Sequence, residues 1–352
     1  MNNKRPSILL IYTGGTIGME EDVQSKSLRP VDFNHLTDRI PELKTFNLNL
    51  SVIAFDKPMD SSNMNPDVWV KLARLIERNY SKQDGFVILH GSDTMAFTAS
   101  ALSFMLENLD KPVILTGSQL PMGIIRTDGK ENLITAIEIA SRQEKGRAVI
   151  PEVCIYFEYQ LYRGNRTHKF NSEHFQAFQS ANYPVLAEAG VHIKFNTDAI
   201  QAGKPKKLKV HTRLDPNIAV LKIFPGIQKN AVAAILNTKG LKAIILETFG
   251  SGNAPTEKGF IDLLTKAIDN GLIIYNVTQC NAGSVDQGKY ETSSQLKKIG
   301  VVGGADITYE AAIAKLMFVL GQKLKKKEIR KALSNSLRGE LSESHGAAAE
   351  IL

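Results

Sequence analysis

Residues Phe86 to Asn108 read FVILHGSDTMAFTASALSFMLEN. Four apolar residues, 86–89, run straight into a polar, glycine-bearing turn, His90 to Asp93, and then into a helical pattern that extends to about Asn108. An apolar run without the alternation of a half-exposed strand is the pattern of a strand covered on both faces, as in a parallel sheet. The same unit recurs along the chain. Residues 8–11 lead into Thr13-Gly14-Gly15-Thr16, and 50–55 into 59–65 and a helix over 67–79. Residues 112–115 lead into Gly117-Ser118-Gln119 and a helix over 128–142, and the strand 153–157 precedes a polar stretch at 163–171. Strands alternating with helices predict an α/β fold with a doubly wound, mostly parallel sheet.

A change of composition divides the chain. Residues 196–216 are polar and lysine-rich and contain Pro205 and Pro216, so this stretch is read as a linker. It separates a larger N-terminal α/β domain, 1–195, from a smaller C-terminal α/β domain, 217–352. In the second domain 218–224, 243–246 and 272–277 read as strands, and 256–269, 308–320 and 327–337 as helices. The tail from Glu340 has no strong pattern and reads as partly loose. The length of 352 residues fits two domains of ~150 residues each.

Composition excludes several classes. With 43% hydrophobic and 22% charged residues the chain is neither disordered nor collagen-like nor a disulfide scaffold. Its two cysteines, Cys154 and Cys280, stand alone in their segments, which argues for a reducing, cytoplasmic setting and against a cysteine metal site. No apolar run reaches the ~18 residues of a membrane span. The start, MNNKRPSILLIYTGG, has too short an apolar core for a signal peptide and lacks an A-x-A site. The net charge of +7 is concentrated at 204–209 (KPKKLK) and 323–331 (KLKKKEIRK). Neither run is interleaved with aromatic residues or joined to a nucleic-acid motif. Solvated surface is the expectation, with an anionic partner as the alternative.

In open α/β sheets ligands bind beyond the carboxyl ends of the strands. The loops there carry hydroxyls and amides (Thr13, Thr16, Ser61, Ser62, Asn63, Ser92, Thr94, Thr116, Ser118, Gln119) and few charges, which suits a small polar ligand. TGGTIG, 13–18, is neither a dinucleotide fingerprint nor a Walker loop. Its two adjacent glycines let the backbone turn sharply, and Thr16 is either a hydroxyl nucleophile or a helix cap. HGSDT, 90–94, places Ser92 and Asp93 at a helix start, as caps or as groups that meet a substrate. RGNRTHKF, 163–170, offers Lys169 either as a base in a partly desolvated site or as surface. The seven histidines are scattered, and the closest pair, His168 and His174, lacks ligand spacing, so no metal is expected. No G-x-S-x-G elbow and no cofactor motif are present.

Together these segments acquire a meaning that none has alone. TGGTIGM (13–19) and ILHGSDTMAFTASAL (88–102) resemble the two signature regions of the L-asparaginase family. MDSSNM (59–64), LTGSQLP (115–121), LYRGNRTHK (161–169), GSGNAP (250–255) and VVGGADITYEAAIAKL (301–316) resemble that family too, in the expected order and over nearly the whole chain. The likeness is greatest to its bacterial cytoplasmic type I branch. It implies an amidohydrolase that converts L-asparagine and water to L-aspartate and ammonia through an acyl-enzyme. The family's threonine nucleophile falls on Thr16, and its hydroxyl–aspartate–lysine group on Ser92, Asp93 and Lys169, with serine where threonine is usual. Its substrate-binding serine and the neighbour fall on Ser61 and Ser62, and Asp93 would also take the substrate's α-ammonium. The resemblance implies no cofactor and no metal, no nucleic-acid or membrane partner, and an oligomer of close dimers, either a homodimer or a homotetramer.

Two departures stand out. Many members carry a tyrosine shortly after the glycine loop; the segment 25–30, SKSLRP, has Leu28 there, and Tyr290 is the expected replacement, a surface tyrosine being the alternative. Type I members often carry an arginine before the GSGNAP loop, associated with an allosteric asparagine site; Glu247 occupies that place with the opposite charge. Three other functions compete: a non-catalytic asparagine or aspartate sensor, an amidohydrolase with substantial glutaminase activity, and the amidase subunit of a tRNA-dependent amidotransferase. The last would want an extra N-terminal domain, against which a chain starting at its first strand argues. Asparagine differs from glutamine by one methylene, worth only ~1–3 kcal/mol in an apolar pocket.

Overall fold

Strand β1, Ser7–Gly14, is buried along all but its first residue, as its continuous apolar run requires. It pairs in parallel with β2, Asn49–Met59, on one side and with β3, Gly85–Leu89, on the other. In the computed structural model, which describes residues 5–21, 28–30, 40–203, 206–288 and 291–342, β3 continues in parallel to β4, Val113–Thr116, and β4 to β5, Val153–Phe157. Three antiparallel strands complete that edge: β6, Gln160–Arg163; β7, Ala187–Ala189; and β8, Ile193–Phe195. The order of the sheet is β8-β7-β6-β5-β4-β3-β1-β2. The chain moves one way from β1 to β2 and then returns to the other side of β1 for β3. That reversal is the topological switch at which such sheets open a crevice.

Among the described residues three helices cover this sheet. Helix α1, Pro66–Asn79, is capped by the Asn65 side chain, which accepts from the N–H groups of Asp67 and Val68. Helix α2, Met95–Met105, buries nine of its eleven residues, so its sequence is apolar nearly all round. Helix α3, Gly129–Ser141, places Leu133, Ala136 and Ile137 on the sheet face formed by Ile8, Leu10, Val87 and Ile114. Helix α2 lies against β4 and β5.

The chain divides into two compact units, Met1–Thr212 and Arg213–Leu352. The division falls inside the 196–216 stretch. The second unit has a parallel sheet of β9, Ile218–Lys222; β10, Ala243–Thr248; β11, Ile273–Thr278; and β12, Val302–Gly303, in that order. Its helices are α4, Lys229–Leu236; α5, Lys258–Asp269; α6, Glu291–Ile299; α7, Tyr309–Gly321; and α8, Lys326–Ser334. Leu221, Val232, Ile244, Phe260, Leu264 and Ile274 belong to its core. Among the described residues no helix is long and apolar enough to cross a membrane.

The structure corrects several boundaries. Helix α2 stops at Met105 rather than Asn108. Asn108 is left-handed (φ 59°), and Leu106–Glu107 instead forms a short antiparallel pair with Lys209–Val210. Helix α8 ends at Ser334, not at Leu337, because the N–H groups of Leu337 and Arg338 bond to the Glu340 carboxylate. Helices α4 and α6 were not expected. Glu340 is no part of a loose tail: it is fully buried, 2.7 Å from the equally buried Lys315.

The Lys315 ammonium also donates to the carbonyls of Leu333 and Asn335. Burial alone would push the lysine down and the carboxyl up. Lys315 and the two backbone N–H groups overcome that for Glu340, whose carboxyl is held below its usual range. A buried pair is costly to break because the remaining charge has no partner. Glu340→Ala is therefore expected to lower the unfolding free energy by about 3–5 kcal/mol in urea titration, and the double variant Lys315→Met/Glu340→Leu by much less. Equal losses in the two would rule out a closed ion pair.

Candidate active site

The loops that follow β1, β2, β3 and β4 meet at the crevice, and two of them touch through backbone alone. Gly14 and Gly15 both have left-handed φ, 132° and 86°. A Cβ on Gly15 would lie 2.5 Å from the Gly91 nitrogen and 2.6 Å from its Cα. A Cβ on Gly91 would lie 2.6 Å from the Ser61 hydroxyl. Only glycine permits this approach. It brings the half-buried Thr16, the buried Ser61 and the Ser92-Asp93 turn to one place. Thr16 opens a single 3-10 turn, Thr16–Gly18. That turn is held by Gly18 N–H to Gly15 O at 3.2 Å and by the Tyr12 hydroxyl, which donates to Gly18 O at 3.1 Å. Burial pushes the Tyr12 phenol up to about 12, so it acts as a donor.

Lys169 reaches the same place from outside the parallel part of the sheet. Its ammonium lies 2.9 Å from the Ser92 hydroxyl and 2.7 Å from the Asp93 carboxylate. The Lys169 side chain is 14% exposed and that of Asp93 67%, so the pair has a protected cation and an accessible anion. The segment before Lys169 is polar but not on the surface. Arg163, Asn165, Arg166 and Thr167 are all buried. Arg163 pairs with Glu152 (Nε to Oε2 2.6 Å) and donates to Ala199 O at 2.9 Å. His168–Lys169 then pairs with Phe178–Gln179 as a short antiparallel ladder.

Not every expected residue is gathered in the same way. Ser61 gives its carbonyl to the Thr94 hydroxyl at 2.7 Å, joining the second and third loops. Ser62 is exposed, and both its N–H and hydroxyl donate to Asp60 at 2.8 Å, which lowers the Asp60 carboxyl. Tyr290 lies outside the described residues. Glu247, at the end of β10, is buried, which raises its carboxyl, and Lys222 is 3.8 Å away. Among the described residues no His, Cys, Asp and Glu group is arranged to hold a metal ion.

Two residues of the site were given no role by sequence reasoning. Gln119 accepts weakly from the Ser92 hydroxyl at 3.4 Å and donates to Ser172 O and His174 O. Its own N–H is held by Asp128, as is that of Leu120. The other is His90, which is fully buried. Its Nδ1 is 2.7 Å from Gly91 O and its Nε2 2.9 Å from the Thr98 hydroxyl, which also receives the Trp69 indole N–H at 3.0 Å. The only signal for either was its place in a strand-end loop.

Models of two domain families match the chain: "Asparaginase, N-terminal" over residues 7–201 and "Glutaminase/Asparaginase C-terminal domain" over 217–333. L-asparaginase 1 of Escherichia coli is 44% identical over 344 residues, covering 96% of this chain and 99% of its own. The 60 kDa lysophospholipase of Mus musculus is 41% identical over 95% of this chain, but only 62% of its own length is covered. Among solved structures, L-asparaginase I of Vibrio cholerae superposes with a TM-score of 0.87 at 39% identity, over 97% of this chain and 100% of its own.

Burial pushes the His90 imidazole down to about 4 from an ordinary 6.5. The unfolded chain takes up this proton as pH falls past 6.5, whereas the folded chain refuses it until about 4. The stability contributed by the neutral ring is thus complete above the upper value and lost on the way down to the lower one. Over that window the unfolding free energy of the wild type should fall more steeply than that of His90→Asn, measured by urea titration at each pH. Identical slopes would mean that the ring is not buried neutral.

Proposed function

The chain belongs to the asparaginase family, and from that premise we propose that it hydrolyses L-asparagine to L-aspartate and ammonia. The observation that carries this reading is the ammonium of Lys169 between the Ser92 hydroxyl and the Asp93 carboxylate, beside the glycine turn that presents Thr16. Amide hydrolysis needs a nucleophile, a carrier for its proton and donors for the oxyanion. Thr16 is the nucleophile. Its oxygen bonds to the side-chain amide carbon, the C–N bond breaks, and the hydroxyl proton leaves on the nitrogen as ammonia. Water then cleaves the Thr16 ester, releasing L-aspartate and restoring the hydroxyl.

Ser92, Lys169 and Asp93 form the proton relay, because Lys169 is within hydrogen-bond reach of both partners. Serine at position 92 keeps the hydroxyl that the relay uses. The exposed face of Asp93 takes the substrate's α-ammonium by a charge-assisted bond. Ser61 and Ser62 supply the rest of the substrate contacts, and Tyr290 is the candidate helper of Thr16. The N–H groups of Ser92 and Asp93 open a helical segment, where no preceding turn supplies carbonyls, and they face the developing oxyanion. The reading includes a cytoplasmic location and assembly from close dimers, as a homodimer or homotetramer.

The test is ammonia release from L-asparagine and L-glutamine. Wild type should turn over asparagine, and Thr16→Ala should lose a factor of ~10³ or more, the scale of a removed covalent nucleophile. Lys169→Met should also collapse kcat, whereas Ser92→Thr should keep most of it. Tyr290→Phe should lower kcat without changing KM. Binding of asparagine with no ammonia would make the protein a sensor, and a faster reaction with glutamine would make it a glutaminase.

A further inference from the structure

The hydrogen-bond chain beneath Gly91 has a direction. A carbonyl only accepts, so the contact between His90 Nδ1 and Gly91 O requires the proton on Nδ1. Nε2 then carries a lone pair and accepts from the Thr98 hydroxyl. That hydroxyl is free to donate there because its oxygen receives the Trp69 indole N–H. Two helices, α1 and α2, thereby select one tautomer of a ring on the loop after β3. Burial keeps the ring neutral, in agreement with this arrangement.

The ring acts on a peptide plane. The Gly91–Ser92 peptide is trans, so its C=O and N–H point in opposite directions. With the carbonyl drawn towards buried His90, the Ser92 N–H is turned away from the core, on the side of the crossing loops. We propose that His90 is a positioning residue for the hydrolysis: it holds the Gly91 carbonyl inward and so keeps the Ser92 N–H facing the oxyanion. The inference rests on the hydrolase reading above. His90 itself touches neither substrate nor the reacting atoms. Were the peptide to turn over, a carbonyl would replace the donor, and the site would repel the charge it must stabilise.

Two isosteres separate this role from simple packing. Asparagine at position 90 places an amide N–H where Nδ1 was and leaves Thr98 without its partner. Glutamine reaches Thr98 and leaves Gly91 O without its donor. The full-length wild type, His90→Asn and His90→Gln would be compared for kcat, KM and melting temperature. The ¹⁵N shifts of the wild-type ring would report its tautomer. The expected result is an Nδ1–H ring, with kcat near wild type in His90→Asn. In His90→Gln kcat falls on the order of 10- to 100-fold, part of the ~10²–10³ that a whole oxyanion donor is worth, with KM nearly unchanged. A structural role would instead make kcat follow melting temperature in both variants. An Nε2–H ring, equal losses of kcat, or no loss in His90→Gln overturns the proposal. If His90→Gln does not fold, the wild-type tautomer and the kcat of His90→Asn still decide. Absence of ammonia from the wild type would sink the hydrolase reading, and the catalytic half of this inference with it. An active wild type with an Nε2–H ring would sink the positioning role alone.

Discussion

Backbone meets backbone at Gly91, and the geometry of the site depends on it. Gly15 lies against the Gly91 nitrogen and Cα, the Ser61 side chain fills the space where a Gly91 side chain would stand, and Gly117 lies against His90 O. Proton transfer and oxyanion binding act over about 3 Å, so groups on four different loops cooperate only if those loops come closer than side chains ordinarily allow. The reversal of strand order between β1 and β3 opens the crevice. The glycines then let the loops close over it. A methyl group at Gly15 would have to displace main chain, not the far end of a flexible side chain.

Lys169 enters this crevice by a different physical route. It follows β6, on the antiparallel extension of the sheet, and the loop that carries it is buried and polar. Burying charge is costly unless every partner is supplied. Here the Arg163 guanidinium meets Glu152 and Ala199 O and lies 4.2 Å over the Tyr183 ring. Glu152 also takes the N–H of Gln201 at 2.6 Å. This closed network makes a rigid base for the short ladder that ends at Lys169, and a rigid base is what holds one long side chain at contact distance from two partners. The charge pair in the core and the charge pair in the crevice are therefore parts of one construction.

Much of this was legible in the sequence. The apolar runs named the parallel strands, and the strand-end loops 13–18, 59–64 and 90–94 named where a site would be. Lys169 was different: its segment offered it as either a base or a surface lysine, and only the family likeness favoured the first, because a loop lysine reads as surface unless its burial is known. His90 was not legible, because its role depends on Thr98 and Trp69, brought in from two helices. Helix ends were misread where a tertiary partner took over the backbone. Beyond Met105 this was the 209–210 strand, and beyond Ser334 it was the Glu340 carboxylate. Local pattern does not carry information of that kind.

The basic excess bears on the same division between scaffold and site. A net charge of +7 invites an anionic partner. Several of these cations instead serve helix C-termini, where unpaired carbonyls and the negative end of the dipole favour positive charge. Lys111 donates to Tyr80 O and Gln83 O beyond the end of α1. Lys326 donates to Ile268 O in α5, Arg330 to Gly300 O after α6, and Lys315 to Leu333 O in α8. Lys326 and Arg330 come from the KLKKKEIRK run itself. Lys209, from the other run, lies 3.6 Å from Glu107 in the short added ladder. In both units these cations finish the scaffold, whereas the loops at the crevice are mainly hydroxyls, amides and glycines, with a single lysine–aspartate pair. A site built in that way suits a small polar ligand, whose own charges need only a few matched partners, while Lys209, Lys326 and Arg330 of the basic runs are engaged within the scaffold.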